Sequence, residues 1–205
     1  MVRVDLHLHT VFSGDSSIDP KVVVEQLQRQ SIVKGVAITD HNSLEGYFRV
    51  RKLAEVYEDL VILPGIEIST SDGDVIVLGV EEKPEHPVTL DGAVDFAKTT
   101  DGLVIVPHPY RVMGVGDLAM NIEAHAIEVL NPTATSKENA LAKKLAKTKN
   151  LPGVAGTDAH NEREMWTVFT EVEAQPDVGS VLEALRKGLV KAVDARSASL
   201  LRVRG

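Results

Sequence analysis

The 205-residue sequence contains no cysteine, and only 4% of its residues are aromatic. The absence of cysteine excludes disulfide bonds, Cys-based zinc sites, iron–sulfur clusters and a cysteine nucleophile. Any metal ion in this protein must therefore be bound by histidine, aspartate or glutamate. The shortage of aromatic side chains also argues against a surface on which the bases of single-stranded nucleic acid stack.

The chain also lacks a long apolar run and an excess of positive charge. No apolar stretch approaches the roughly 18 residues of a membrane span, and the N-terminal segment MVRVDLHLHT has no basic and apolar regions of the kind that form a signal peptide. With 22 lysines and arginines against 30 aspartates and glutamates, the formal net charge of −8 opposes attraction to nucleic acid or to an anionic membrane. We therefore expect a cytoplasmic protein with no membrane partner, for which nucleic acid is at most a short substrate.

What the chain does contain is an alternation of short β-branched runs with segments of helical periodicity. The predicted strands cover residues 2–6, 35–39, 61–68, 75–80, 103–106, 126–130, 153–155, 168–172 and 190–193. Predicted helices begin at Asp19-Pro20, at Ser136 and at Asp177 or Ser180, and Ser71–Asp74 predicts a hairpin turn. Because strands separated by helices pair in parallel, this order predicts an α/β sheet or a (β/α) barrel. No linker or low-complexity stretch divides the chain, so we expect a single domain over residues 1–205.

Possible metal ligands cluster at the carboxyl ends of these predicted strands, where ligands of parallel sheets bind. Five of the seven histidines fall there, each near another possible ligand. The strand-end residues are His7, His9, Asp40, His41, Glu67, His108, Asp158 and His160. A single histidine at such a position is more often structural, but burying so many ionisable groups without a counter-ion is costly. The set therefore predicts a metal centre, and its imidazole and carboxylate donors suit Zn, Mn, Fe or Mg alike.

Four motifs in this order resemble those of the PHP family, the polymerase and histidinol phosphatase domain. They are Asp5-Leu6-His7-Leu8-His9-Thr10, Ile38-Thr39-Asp40-His41-Asn42, Val106-Pro107-His108-Pro109 and Gly156-Thr157-Asp158-Ala159-His160. The segment Gly65-Ile66-Glu67-Ile68 matches the glutamate segment between the second and third motifs. The resemblance covers residues 2 to about 195. It implies a distorted (β/α)7 TIM-like barrel with two or three divalent metal ions at its C-terminal rim, used for phosphoester hydrolysis.

The resemblance also implies how the ligands are shared among the ions. One ion is expected at His7, His9, Glu67 and Asp158, and a second at Asp15, His41 and His160. Glu67 is expected to bridge to an ion held by His108. Many relatives place a further histidine for the second ion where this chain has Ile76, so we expect that ion to be short of one protein ligand.

The expected reaction is attack on phosphorus by hydroxide formed at the metal centre. Asp158 and His160 are the predicted contacts of the attacking water, and Asp40 is a candidate for orienting His41 or accepting protons. Arg111 is the predicted phosphate ligand, because a guanidinium can pair with two phosphoryl oxygens. Glu128 and Asn131 resemble a Glu-Val-x-Asn segment of the family, and we expect them either to shape the substrate pocket or to hold the ligand residues in place.

Three functions remain open from the sequence. The first is hydrolysis of a small phosphorylated molecule, which is the expected substrate and partner. The second is a nuclease or nucleoside bisphosphate phosphatase acting on nucleotides or short oligonucleotides, because the same centre can cut diesters. The third is a non-catalytic scaffold subunit, which the intact ligand set disfavours. His86 and His125 lie outside every motif and are predicted to be surface residues.

Overall fold

The computed structural model describes residues 1–85 and 88–196 of the chain. Its strands are β1 (Val2–Leu8), β2 (Gly35–Ile38), β3 (Val61–Thr70), β4 (Gly73–Leu78), β5 (Leu103–Val106), β6 (Ala126–Leu130), β7 (Gly153–Ala155), β8 (Val168–Val172) and β9 (Val190–Asp194). Its α-helices are α1 (Pro20–Arg29), α2 (Glu45–Ala54), α3 (Leu90–Thr99), α4 (Ser136–Lys149) and α5 (Val178–Arg186). Short 3₁₀ helices cover Val11–Ser13 and Gly116–Met120. None of the described helices is long and apolar enough to cross a lipid bilayer.

The strands form one curved sheet in the order β7-β6-β5-β4-β3-β2-β1-β8-β9. The two ends of this order lie near each other, since β7 contacts both β8 and β9, and the sheet is a nearly closed barrel. The predicted α/β barrel is therefore confirmed. The described residues do not, however, follow a regular (β/α)7 repeat, because β4 pairs antiparallel to β3 and β5, and β8 pairs antiparallel to β1 and β9.

The helix starts follow from side chains that cap free backbone N–H groups. The carboxylate of Asp19 accepts a hydrogen bond from the N–H of Lys21 at the start of α1, where Pro20 occupies the first turn. Thr135 and Glu138 form a reciprocal capping box at the start of α4. Asp177 caps α5, so the first of the two predicted starts for this helix is the correct one.

The inward face of the sheet is apolar at the floor of the barrel and polar at its rim. Successive residues of a strand alternate between faces, so residues two apart share one face. On this face Leu63 of β3 and Leu78 of β4 belong to a buried apolar cluster that fills the floor. Closer to the rim the same rows of β3 and β4 carry Glu67 and Asp74, which are also buried. A packed floor therefore supports a polar layer at the rim.

Two histidines were predicted to lie at the surface, away from this rim. His86 lies outside the described residues. His125 is half-buried, and its Nδ1 atom accepts a hydrogen bond from the N–H of Val104 at 3.0 Å. The surface assignment of His125 is therefore corrected to a structural role at the start of β6.

Candidate metal centre

Two histidines at the end of β1 and two carboxylates form the buried part of the cluster. The Nε2 atoms of His7 and His9 lie 3.0 Å apart. Oε2 of Glu67 is 3.1 Å from Nε2 of His7 and 3.0 Å from Nε2 of His9. Oδ1 of Asp158, which follows β7, is 3.4 and 3.3 Å from the same two nitrogens. The structure thus brings together all four residues expected to hold the first ion.

The residues expected to hold the second ion lie on the solvent side of this group. Oδ2 of Asp15 is 3.2 Å from Nε2 of His160 and 3.5 Å from Nε2 of His41. The exposed fractions of the Asp15, His41 and His160 side chains are 50%, 27% and 31%. His9 joins these three residues in a group whose ligand atoms lie within 4.8 Å of one another. Water and substrate can reach the cluster from this face.

His108 follows β5 and completes a third group with His7 and Asp158. Nε2 of His108 is 3.3 Å from Oε1 of Glu67 and 3.9 Å from Oδ2 of Asp158. The two oxygens of Glu67 therefore face different histidines: Oε2 faces His7 and His9, and Oε1 faces His108. This is the arrangement expected of a carboxylate that bridges two ions.

Two of the ligand candidates have left-handed backbones, which are uncommon for residues other than glycine. The φ angles are 52° at Asp158 and 24° at His108. Such conformations cost about 1–3 kcal/mol each and persist where the surrounding structure enforces them. At Asp158 the backbone N–H donates a hydrogen bond of 2.7 Å to the carbonyl of His7, which fixes this residue to β1.

β4 contributes a carboxylate that the sequence prediction did not include. Ile76 lies opposite Glu67 in the β3–β4 pair and packs into the apolar floor. Asp74 is two residues nearer the rim on the same face and is buried. Its ligand atom lies within 4.8 Å of those of His41 and Glu67. Asp74 is therefore an additional ligand candidate in the region where the sequence leads us to expect one protein ligand too few.

We expect Asp74→Ala to reduce the metal content of the protein by about one ion per chain, because the group of Asp74 with His41 and Glu67 loses one of its three ligand residues. Elemental analysis of protein equilibrated with excess Mn²⁺ measures this content. Asp72→Ala removes an exposed carboxylate of the neighbouring turn and should leave the metal content unchanged. Equal metal content in both variants and the parent would show that Asp74 is not a ligand.

Most of the clustered histidines are anchored through Nδ1. The partners are Oε1 of Glu128 for His7 at 3.1 Å, Oγ of Ser13 for His9 at 3.0 Å, Oγ of Ser69 for His41 at 3.2 Å and the carbonyl of Asp158 for His160 at 2.8 Å. A carboxylate and a carbonyl only accept hydrogen bonds, so the Nδ1 atoms of His7 and His160 donate. In the neutral form of each ring, this arrangement leaves the Nε2 atom without a proton and facing the cluster, as metal-binding histidines require.

Unpartnered polar atoms show that the cluster fits cations. Among the described residues, three buried side-chain atoms have no hydrogen-bond partner: Oε1 of Glu67, Oδ1 of Asp74 and Nδ1 of His108. Leaving such an atom unsatisfied costs about 1–3 kcal/mol. All three atoms belong to candidate ligand residues, and imidazole and carboxylate donors are suited to Zn, Mn, Fe or Mg. The residues present therefore fit a centre of divalent ions.

The ionisable groups of the cluster perturb one another strongly. Burial by itself would lower the pKa of His7 and His9, but Glu67 and Asp158 outweigh it, so that the pKa of His7 lies well above its usual value and that of His9 is about 9. Burial would raise the pKa of Glu67 and Asp158, yet the neighbouring imidazoles hold both well below the usual range. The carboxylates are thus ionised at neutral pH and draw positive charge into the site, which divalent cations supply in place of protons.

Asp40, which the sequence made a candidate catalytic residue, belongs to none of the groups of possible metal ligands among the described residues. Its carboxylate accepts hydrogen bonds from the N–H of Thr10 at 2.5 Å and from the Thr10 hydroxyl at 2.7 Å. A Cβ atom at Gly46 would lie 1.9 Å from Oδ2 of Asp40, so the first turn of α2 closes over this carboxylate. Asp40 therefore fixes the turn that follows His9, and its role in orienting His41 or accepting protons stays a prediction.

Glu128 was predicted either to shape the substrate pocket or to hold ligand residues in place, and its contacts favour the second role. It is buried, and Oε1 accepts a hydrogen bond from Nδ1 of His7. Oε2 accepts from the backbone N–H of His108 at 2.8 Å and from Nδ2 of Asn131 at 2.9 Å. Glu128 thus orients two ligand residues and does not face the substrate side.

Three hydrogen-bond donors meet at the second oxygen of Asp158. Oδ2 accepts from Nη1 of Arg111, from Nδ2 of Asn131 at 3.3 Å and from the hydroxyl of Thr133 at 3.3 Å. Arg111 and Asn131 were predicted from the sequence, whereas Thr133 was not. The signal for Thr133 is its position two residues after Asn131, just beyond the end of β6. These donors form a surface suited to phosphoryl oxygens beside the metal ligands.

Comparison with known proteins gives a family-level match. The family model described as PHP-associated matches residues 136–190. The uncharacterized protein MJ1587 of Methanocaldococcus jannaschii is 30% identical over 142 residues, which are 63% of this chain and 82% of that protein. The uncharacterized protein MJ0417 of the same organism is 31% identical over 170 residues, covering 78% of this chain and 65% of that protein.

A solved structure shares the fold across nearly all of the chain. It is a two-domain protein from Bacteroides vulgatus that contains a predicted PHP-like metal-dependent phosphoesterase. The TM-score is 0.80 at 20% sequence identity, and the match covers 94% of this chain and 64% of that one. The chain therefore spans less than two thirds of both the Bacteroides protein and MJ0417.

Proposed function

Because the chain belongs to the PHP domain family, we propose that it is a metal-dependent hydrolase that cleaves a phosphoester of a small phosphorylated molecule. The observation that carries this proposal is the convergence of five histidines with the carboxylates of Asp15, Glu67, Asp74 and Asp158 at the rim of the barrel, next to Arg111. A centre of nitrogen and oxygen donors open on one face is suited to hydrolysis, and a nearby guanidinium is suited to binding phosphate.

In such a reaction, each of the side chains around the centre would have a separate role. Divalent ions at this centre, when bound, would make coordinated water more acidic and offset charge on phosphoryl oxygens. Arg111, with its side chain 33% exposed, would bind and orient the phosphoryl group from the open side of Asp158. Asn131 and Thr133 would hold the same carboxylate in place, and Glu128 would hold His7. Asp158 and His160 would orient the attacking water on the exposed face.

A substrate panel tests this function. We expect His9→Ala to lose turnover of p-nitrophenyl phosphate and of phosphorylated metabolites, whereas His125→Ala, which removes a histidine outside the cluster, keeps it. Circular dichroism of both variants would verify that they are folded. Bis(p-nitrophenyl) phosphate and short oligonucleotides form a second arm of the panel, and preferential turnover of these diesters would favour the nuclease alternative. Turnover by His9→Ala at the parental rate would overturn the proposal.

We expect Arg111→Ala to lower kcat/KM for a phosphomonoester by about 10- to 100-fold, because a hydrogen bond to a charged group contributes about 1.5–3 kcal/mol. Most of the change should appear in KM, since the guanidinium binds a group that is charged before and during the reaction. Arg111→Lys should restore part of the loss. Arg163→Ala removes an exposed arginine of the loop after His160 and is the matched control. Unchanged kinetics in Arg111→Ala would show that Arg111 does not bind the substrate.

A further inference from the structure

A second cleft lies on the flank of the barrel, beside the metal centre but outside it. Its volume is about 830 Å³, and it opens between the start of α4 and the strands β8 and β9. Apolar side chains form much of its wall, namely Ile32, Leu130, Pro132, Ala134, Trp166 and Val168. The loop between β7 and β8 contains no helix to cover this part of the sheet. The cleft is therefore large enough for a small organic molecule.

Trp166 provides a fixed aromatic face in this cleft. It is the single tryptophan of the chain, and its indole N–H donates a hydrogen bond of 3.1 Å to Oε1 of Gln26 in α1. Its backbone has φ 62°, a left-handed conformation that is unusual for a bulky side chain. Strain of this kind persists where the surroundings enforce it and is common at ligand sites. The ring is thus held in place before any ligand binds.

The α4 side of the cleft carries positive charge. Ser136, Asn139 and Lys143 line the cleft, and their spacing places them on one face of the helix. Lys143 forms no ion pair with any residue in the ranges 1–85 and 88–196. The cleft also includes Ser136, the first residue of a 14-residue helix, where the helix dipole is positive. The other two charged residues of the lining, Asp194 and Arg196, form an ion pair with each other, so an anionic group is complementary to the α4 side.

Asn131 forms a wall that the cleft shares with the metal centre. The residue lines the cleft and is fully buried. Its Nδ2 atom donates hydrogen bonds to Oε2 of Glu128 and Oδ2 of Asp158. Asn131 therefore lies between the cleft and the ligands of the metal centre.

We propose that this cleft binds a small molecule in which a flat apolar ring system carries one anionic group. The rings lie against Trp166 and the apolar wall, and the anion lies towards Lys143 and the start of α4. The site is distinct from the phosphoester site, and its existence does not depend on the proposed hydrolysis. Because Asn131 separates the two, the bound molecule is placed to influence the metal centre.

Calorimetry with biphenyl-4-carboxylate tests the proposal, with biphenyl-4-carboxamide as its neutral counterpart and Trp166 fluorescence as a second readout. We expect the carboxylate to bind with a Kd below about 1 mM and up to about fivefold more tightly than the carboxamide, the range for an exposed charge pair. Lys143→Gln should remove this difference. Lys144→Gln changes the next lysine of α4, which does not line the cleft, and should preserve it.

His9→Ala separates this site from the metal centre. The carboxylate should bind the parent and His9→Ala with equal affinity if it occupies the cleft. Loss of binding in His9→Ala would place the carboxylate on the metal ligands and overturn the proposal. Absence of binding, or binding that is unchanged by Lys143→Gln, would also overturn it.

Discussion

Glu67→Gln is expected to lower phosphoester turnover by at least about a thousandfold, which corresponds to ~4 kcal/mol of transition-state stabilisation. Glu67 is the residue whose two oxygens face both the His7 and His9 pair and His108. Glutamine keeps the size of the side chain but replaces one of these oxygens with an amide nitrogen, which is a donor and cannot bind a cation. One substitution therefore weakens two ion positions at once.

The measurement for Glu67→Gln is kcat for p-nitrophenyl phosphate together with metal content. Glu123→Gln removes a carboxylate that is 76% exposed and paired with Lys98, and it should retain parental activity and metal content. If Glu67→Gln keeps both its metal and its rate, then the bridging role assigned to Glu67 is wrong.

Gly156→Ala is expected to destabilise the fold by about 3 kcal/mol or more, at the upper end of the cost of overpacking. A Cβ atom at this position would lie 2.3 Å from Cβ of His7 and 2.6 Å from Oε1 of Glu128. Neither neighbour can move freely, because β1 holds His7 and three hydrogen bonds hold Glu128. The added methyl group would therefore displace the two residues that orient the buried ion site.

Urea unfolding of the protein without added metal measures the effect of Gly156→Ala. Gly179→Ala is the control, because its Cβ atom would meet only Oδ1 of Asp177 at 3.6 Å. Gly179 lies within α5, where alanine is favoured over glycine by roughly 0.5–1 kcal/mol, so this variant should be slightly more stable. Similar free energies of unfolding for the two variants would show that the packing around Gly156 is looser than the structure indicates.

Most strands could be predicted from the sequence, because runs of β-branched residues bounded by turn residues are a strong local signal. The β3–β4 hairpin shows that this signal does not fix where a strand ends and a turn begins. The sequence assigns Ser71, Asp72, Gly73 and Asp74 to the turn, whereas in the structure β3 continues to Thr70 and β4 begins at Gly73. Asp74 therefore lies within a strand and faces inward. Because the sequence pattern indicates a polar turn at Asp74, this residue could not be recognised as a ligand candidate.

The direction in which strands pair was a second feature that the sequence did not predict. Hydrophobic periodicity locates a strand but does not say whether it pairs parallel or antiparallel. The 168–172 and 190–193 segments were located correctly, yet β8 pairs antiparallel to both of its neighbours, β1 and β9. The absence of a helix between β7 and β8 in the described chain is the local feature that allows this reversal.

The candidate ligands could be recognised because their residue types carry the chemistry and strand ends bring them together. For Asp40 and Glu128, residue type and position could not decide between a direct role and a role in holding other residues in place. Both carboxylates sit in motifs that contain ligands, but their oxygens accept hydrogen bonds from Thr10 in one case and from His7 and His108 in the other. Which carboxylate faces the ions and which holds a ligand in place is decided by the direction of the side chain, which sequence spacing does not specify.

The most direct test of the metal centre as the hydrolytic site is the release of p-nitrophenol from p-nitrophenyl phosphate by one protein sample in three states. The sample is assayed as purified, after removal of metal by a chelator, and after addition of Mn²⁺ to the chelated protein. We predict that chelation abolishes turnover, that Mn²⁺ restores it, and that His9→Ala shows no turnover in any state. Equal turnover in all three states of both proteins would contradict this account.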